Sequence, residues 1–500
     1  MKAVMAIDLG TSSVRAGLVD AELNVHHIAQ RTYRLETPKP GWAEQDPEII
    51  VASLGDAAKE ALAQGGNLEI AGVCIDSAMH SFLALDEAMR PITPVWTWAD
   101  MRAARSVRAL ADDPADSTLL YQRTGCPVHA MYFPAKSRWL KEHDPDTFAR
   151  AAYLTSIKAY VLSRLTGALV EDLSIASGYG IMDIRHLHWN EEALKIAGIT
   201  RERLPRLVEP RQIIGHLDER LARSWGVDPL PIVAGGADGP LANVGAGCVQ
   251  EGDMAITVGT SSAVRMFTSA PRVDEQARTW CYYLGDATWV VGGAINGGAS
   301  SLAWLRSAFP NLVSIDDRVA HRELDAWAAE VPPGAEGLMF APYLAGERNP
   351  GLQGEARGYM AGLSLHHSAK HFVKATMEGI SYQIAWVYQS VADVAGTPKT
   401  IRITGGFVGS TVWPQVLADV LGRSLEVPVE KEGSLIGAAS FGLATLCGVD
   451  WRQVVGQIPV QRVIEPNAEN HRRYARYFET YRRLYGAVRP YFSELLSLAE

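Results

Sequence analysis

Apolar runs closed by small turn residues recur along the chain and alternate with stretches of helical periodicity, a pattern that predicts strands and helices in turn. Ala3 to Leu9 reads as a buried strand, Gly10-Thr11-Ser12-Ser13 as a turn, Val14 to Val19 as a second strand and Asn24 to Tyr33 as a third. A helix is predicted over Pro47 to Gln64. Asp46 can accept from the free N–H groups of its first turn, Pro47 suits the first helical position, and Gly65-Gly66 stops it. Further strands are expected around Ile70 to Ile75, Phe82 to Leu85, Pro231 to Ala234, Met254 to Val258, Thr288 to Ala294 and Thr400 to Ile403. Helical patterns fall around Trp139 and over Tyr153 to Leu165, Ala299 to Ala308, Phe372 to Val394, Pro414 to Leu421, Gly437 to Leu446 and the stretch from Glu469. The alternation predicts an α/β architecture.

The first strand and turn have an echo. Met5 to Ser13 (MAIDLGTSS) returns as Met254 to Ser262 (MAITVGTSS), identical at seven of nine positions and 249 residues later. Similarity at that separation predicts two related halves, with the boundary in the glycine-rich stretch Gly245 to Asp253. A chain of 500 residues is also too long for one ordinary core, so two domains are expected, residues 1–247 and 248–500.

Charge and composition narrow the function. A net charge of −9 argues against a protein that wraps nucleic acid. The five cysteines are scattered without metal-ligand spacing, which suits reduced thiols better than disulfides. The N-terminus meets an acid at Asp8, leaving no signal-peptide core, and no apolar run of spanning length follows, so a soluble, cytoplasmic protein without membrane partners is predicted.

The chemistry starts at the twin turns. Gly, Thr and Ser after a buried strand offer closely spaced N–H groups and hydroxyls, which suit phosphate oxygens, and two such turns can hold one polyphosphate. Asp8, just before the first turn, either holds Mg²⁺ or accepts hydrogen bonds from its own turn. No Gly-Lys dipeptide occurs, which rules out a Walker A loop, and Gln250 replaces the third glycine of a dinucleotide fingerprint. A nucleotide would therefore be pinched between the two turns. Asp238, among small residues after an apolar strand, can be a base for an attacking hydroxyl or the cap of the helix that follows. Ser77 to Ser81 (SAMHS) and Thr97 to Arg102 (TWADMR) suit a polyol: His80 and Arg102 as donors, Trp98 as a stacking wall. Alternatively His80 is structural and Asp100 and Arg102 are a local ion pair.

Together these residues resemble the FGGY carbohydrate kinases over nearly the whole chain. Gly358-x-Met360-x-Gly362-Leu363, with His371 to Gly379 (HFVKATMEG) after it, matches the family's second signature; Gly41 to Pro47, Pro342 to Pro350 (PYLAGERNP), Ile403 to Ser410 (ITGGFVGS) and Glu432 to Ala439 (EGSLIGAA) are also similar. The first signature is partial: Lys136 and Trp139 keep the spacing while Phe133 and Ser137 depart. The resemblance implies a two-domain actin-like ATPase (ribonuclease H-like) fold with a duplicated core. It implies ATP and Mg²⁺ as cofactors, with Asp8 at the metal, Thr11, Ser12, Ser13, Arg15 and Thr260 at the phosphates, and Gly405, Gly406 and Ser410 at the adenosine. Asp238 matches the catalytic base, although Ala237 stands where the family usually has glycine. Met79, His80, Trp98 and Arg102 fall on the sugar side.

SAMHS, TWADMR, Thr124 to Tyr132 and Thr155 to Gly167 are most similar to the gluconokinase branch. Xylulokinases typically carry glutamine and asparagine where this chain has Ala78 and Ala99. The expected reaction is phosphorylation of the terminal hydroxyl of D-gluconate, against xylulokinase or a chaperone-like ATPase as alternatives. A sugar acid needs a cation; His80, Arg102, His129, Lys136 and Lys158 are candidates, although solvation or an ion pair is the commoner fate of any one lysine. The expected partners are ATP and a small sugar acid, with a homodimer left open.

Overall fold

The computed structural model describes residues 1–309, 317–429 and 432–498. Two large mixed sheets organise it. The first comprises β1 (Lys2–Leu9), β2 (Ser13–Asp20), β3 (Val25–Thr32), β4 (Glu69–Ser77), β5 (Ile213–His216) and β6 (Pro231–Val233), in spatial order β5-β6-β4-β1-β2-β3. The second comprises β7 (Asp253–Val258), β8 (Ser262–Thr268), β9 (Trp280–Gly285), β10 (Thr288–Ile295), β11 (Thr400–Thr404), β12 (Leu425–Pro428) and β13 (Val460–Ile464), in order β9-β10-β8-β7-β11-β12-β13.

Both sheets contain one five-stranded unit. β1 pairs antiparallel with β2 and parallel with β4, as β7 does with β8 and β11; β6 and β12 then add parallel strands outside β4 and β11. The crossover helices correspond as well: α1 (Pro47–Gln64) with α4 (Ala369–Ala395), α2 (Ile157–Thr166) with α5 (Trp413–Leu421), and α3 (Asp238–Gly245) with α6 (Gly433–Cys447). The repeated sequence therefore occupies the same corner of both halves, the end of β1 and the end of β7. This is the duplicated ribonuclease H-like core that the resemblance implies.

Local chemistry sets the elements. Asp46 Oδ1 accepts from Glu48 N at 2.8 Å, capping α1 as expected. The helix predicted from Tyr153 starts later. Tyr153–Thr155 instead pairs with Leu83–Leu85, and the Ser156 hydroxyl accepts from Ala159 N at 3.1 Å to cap α2. Strands β5, β8, β9, β12 and β13 lie outside the predicted set.

The pseudo-related helices α3 and α6 pack on each other between the sheets. A Cβ on Gly245 would stand 1.8 Å from Gly433 O, so only glycine permits the backbones to approach this closely. Although α6 belongs to the second half of the chain, it lies on the first sheet, with Gly442 against Cys74 and Val4, and Leu435 against Gly17. The first sheet's active-site edge is thus framed by elements from both halves. Among the described residues all five cysteines are free, and no helix is long and apolar enough to cross a membrane.

Candidate active site

The first turn directs its carbonyls inward. Gly10 N donates to Ser13 O at 3.0 Å, Tyr33 OH to Gly10 O at 2.5 Å, Tyr33 N to Ser12 O at 3.1 Å and Gln45 Nε2 to Thr11 O at 2.5 Å. The N–H groups of Thr11 and Ser12 find no acceptor among the described residues. The second turn is built alike: Gly259 N donates to Ser261 O at 2.9 Å, and Thr260 O accepts from Ser300 N at 3.3 Å and Ser300 Oγ at 2.6 Å. Carbonyls tied back with amides left outward form an anion-binding nest.

Asp8 at the end of β1 is buried and accepts from Arg15, its cross-strand partner, and from Ser434 Oγ at 3.1 Å. Arg15 also pairs with Glu432, so this cluster joins both halves of the chain. Beside Asp8 in the parallel register lies Asp76, fully buried, with neither carboxylate oxygen hydrogen-bonded to a donor. Burial, followed by the charge of Asp8, pushes Asp76 well above the usual carboxylate range. Asp76 escaped the sequence reading, although Ile75-Asp76 closes its strand as Ile7-Asp8 closes β1. These hard oxygen donors fit Mg²⁺. Among the described residues no cluster of three or more His, Cys, Asp or Glu side chains could hold a metal alone. Phosphate and water oxygens would therefore have to complete its shell.

Asp238 is the first helical residue of α3 while Ala237 takes the cap position, so Asp238 does not cap its helix. Its Oδ1 accepts from Gly239 N at 2.6 Å. Burial raises its pKa to about 6, Asp8 adds to the rise, and Arg265 opposes it. The loop leading to it is pinned by Lys158 Nζ on Gly236 O at 2.9 Å and Ser174 Oγ under Ala237 N at 3.1 Å. Ala237 has φ −82° and ψ 140°, ordinary extended values, so the absence of glycine there leaves the loop undistorted. The other departures are structural too: Phe133 stacks on Tyr179 with centroids 3.8 Å apart, and Ser137 Oγ donates to Ala197 O at 2.8 Å.

On the acceptor side, His80 has a left-handed backbone, φ 64°, uncommon outside glycine and typical of constrained functional positions. Its Nδ1–H donates to Gly178 O at 2.9 Å, a tautomer assigned from that bond, which leaves Nε2 as an acceptor facing Tyr282 OH at 3.4 Å. Tyr132 and Tyr282 hydroxyls lie 2.7 Å apart. His129 is complementary: its Nδ1 accepts from Met131 N at 3.2 Å, so Nε2 carries the proton. Burial lowers His80 to about 3 and His129 to about 4, so both imidazoles are neutral near pH 7. Met79 packs under the loop, lining a small cavity with Thr11 and Trp98. Trp98 Nε1 donates to Thr11 Oγ1 at 2.9 Å, tying the sugar side to the phosphate turn.

The remaining cations read from the sequence are committed elsewhere. Arg102 donates to Asp100 at 2.8 and 2.9 Å and to Glu44 at 2.5 Å, and its guanidinium lies 3.7 Å from the Trp42 ring centroid. It is 2% exposed, which resolves the Asp100/Arg102 alternative in favour of the loop-holding ion pair. Lys136 and Lys158 are fully buried, not solvated. Lys136 donates to the carbonyls of His80 and Thr97 at 2.7 and 2.9 Å, and burial lowers it to about 7; Lys158 pairs with Asp172 at 2.6 Å. Two arginines absent from the sequence reading lie in this region: Arg265 beside Asp238, and Arg348, 5.4 Å from the Trp98 ring centroid. Arg348 sits in the quoted PYLAGERNP stretch, so the signal was present without a role.

Gly405 (φ 98°) follows β11 with its Cα tight against Val258 O, while Gly406 faces open space. Ser410 is spoken for. Its hydroxyl donates to Asp325 Oδ1 at 2.6 Å and accepts from Trp413 N at 2.9 Å, so it shapes the loop and has no proton for a nucleotide.

The profile for the FGGY family of carbohydrate kinases matches residues 3–245 with its N-terminal domain and 254–446 with its C-terminal domain. The chain is 34% identical over 479 residues to a gluconokinase of Bacillus subtilis, covering 94% of this chain and 93% of that one. It is 29% identical over 494 residues to a xylulose kinase of Escherichia coli, covering 97% and 99%. Crystal structures of a gluconate kinase and a ligand-bound xylulose kinase, both from Lactobacillus acidophilus, superpose with TM-scores of 0.93 at 28% and 27% identity; each covers 99% of this chain, with 99% and 100% of the other chain covered.

Proposed function

Because the chain belongs to the FGGY family of carbohydrate kinases, we propose that it transfers the γ-phosphoryl group of ATP to the terminal hydroxyl of D-gluconate, giving ADP and 6-phosphogluconate. The observation that carries the choice of sugar is the higher identity to the Bacillus subtilis gluconokinase, 34% against 29% for the Escherichia coli xylulose kinase. Ala78 and Ala99 support it.

Asp238 removes the proton of the terminal hydroxyl as its oxygen bonds to the γ-phosphorus; the bond to the ADP oxygen breaks, and Asp238 then releases the proton to solvent. A carboxylate raised to about 6 suits this work, being ionised at pH 7 yet more basic than an exposed aspartate. The outward amides of Thr11, Ser12 and Thr260, with Arg15 behind the first turn, neutralise phosphate charge. Asp8 would hold Mg²⁺, which supplies further neutralisation of the phosphates when bound. His80 Nε2 accepts from, and His129 Nε2–H donates to, hydroxyls along the sugar chain, with Trp98 as wall. Gly405 and Gly406 leave room for the adenosine.

Sugar-dependent ADP release across gluconate, xylulose, ribulose and glycerol tests this reading. Gluconate should give the highest kcat/KM. Preferred turnover of xylulose, to whose kinase the fold is equally similar, or ATP consumption without added sugar, would overturn it.

A further inference from the structure

We propose that Arg348 forms the carboxylate-binding subsite of the acceptor pocket, its guanidinium gripping the C1 carboxylate while Asp238 engages the opposite end of the sugar. The assignment rests on the gluconate reading above.

Charge decides which residue can fill this role. A sugar acid buried in the cleft needs a cation that is not already neutralised. The imidazoles of His80 and His129 are uncharged, Lys136 is held by backbone carbonyls, and Lys158 and Arg102 are held by carboxylates. Arg265 faces the charge of Asp238. Arg348 is different. Among the described residues no carboxylate lies within salt-bridge distance of it, its Nε is buried without a hydrogen-bond partner, and its Nη2 donates to Ile295 O at 3.1 Å. It stands over Trp98, and its titratable neighbours are Arg265 and the phenols of Tyr282 and Tyr132, which burial keeps neutral near pH 7. Burial lowers it only to about 10, so it remains a cation.

A buried guanidinium with an unused Nε–H and no counter-ion is costly in the empty protein and pre-set for a planar anion. Around it are Tyr282 and the three residues proposed above to contact the polyol, Trp98, His80 and His129. An anion drawn there lies at the sugar site. An acceptor ending in a hydroxymethyl group would leave the charge unmatched.

The test is equilibrium binding, by calorimetry, of D-gluconate and its neutral counterpart D-glucitol to the full chain and to Arg348→Gln and Arg348→Lys. Arg348→Gln should weaken gluconate binding by on the order of 10–100-fold, the usual weight of a charge-assisted pair. Glucitol binding should change less than about threefold, with MgATP binding retained; Arg348→Lys, keeping the charge, should recover part of the loss. Circular dichroism checks that the variants fold, and Arg348→Lys carries the test alone should Arg348→Gln not fold. Equal losses for both ligands, weakened MgATP binding with gluconate unaffected, or no loss would overturn the subsite. A wild-type protein that phosphorylates another sugar and does not bind gluconate would overturn the functional reading itself, and this site with it.

Discussion

The indole of Trp98 donates to the hydroxyl of Thr11 across 2.9 Å, so one hydrogen bond ties the acceptor wall to the first phosphate turn. The bond fixes the Thr11 hydroxyl as an acceptor from Trp98 and leaves its own proton for a phosphate oxygen. Trp98→Phe and Thr11→Val should each lower kcat/KM for the preferred sugar by roughly 5–10-fold, about the weight of one hydrogen bond. The double variant should lose little more than Thr11→Val alone, because that change already removes the bond that Trp98 makes. Steady-state kinetics of the cycle checks this; additive losses would mean that the two residues act separately.

Asp238 sets the acid limb of the pH profile. Its pKa is raised to about 6, so kcat/KM should fall about tenfold per pH unit below that value, as the base takes up its proton. The sign for stability is opposite. A carboxylate whose folded pKa lies above its unfolded value opposes folding when ionised, fully above about 6 and not at all below its unfolded value. Asp238→Asn should therefore raise Tm at pH 7.5, the gain shrinking as pH falls through 6. A lower Tm for Asp238→Asn at pH 7.5 would contradict the desolvation argument.

Lys158 is a structural cation. It is fully buried against Asp172 and anchors Gly236, two residues before Asp238. Lys158→Met should destabilise by about 3–5 kcal/mol, because it strands a buried carboxylate, and Lys158→Met with Asp172→Leu should recover part of the loss. Urea denaturation measures both.

Arg102 is predicted to matter for stability and not for sugar affinity. Its side chain is spent on Asp100, Glu44 and the rings of Trp42 and Trp96. Arg102→Met should lower Tm while KM for the preferred sugar stays within about threefold of wild type. A selective rise in KM would return Arg102 to the binding site.

Much of the fold was legible because strand, turn and cap signals are local. Asp46-Pro47 announced α1, and the repeat of Met5 to Ser13 at Met254 to Ser262 announced the duplication, which the matched strand order bears out. Strand β13 was missed because it is largely exposed and pairs with β12, which lies far back along the chain. The same distinction governs the site. Asp8, Thr11 and Asp238 stood out as candidates since each adjoins a turn with a distinctive neighbourhood. The fates of Arg102, Lys136 and Lys158 were not, because whether a cation faces a ligand or a carboxylate is decided by residues such as Glu44, at distances that sequence does not carry. Asp76 and Arg348 gain significance only from what surrounds them: a neighbouring acid in one case, an absent one in the other.

The most direct test of the whole account is the identity of the product. Wild-type protein incubated with MgATP and D-gluconate, followed by phosphorus and proton NMR, should yield one phosphomonoester whose phosphorus couples to the C6 protons. Asp238→Asn should form it ~10²–10⁴-fold more slowly. Phosphate on another carbon, no gluconate product, or an Asp238→Asn variant turning over near the wild-type rate would contradict it.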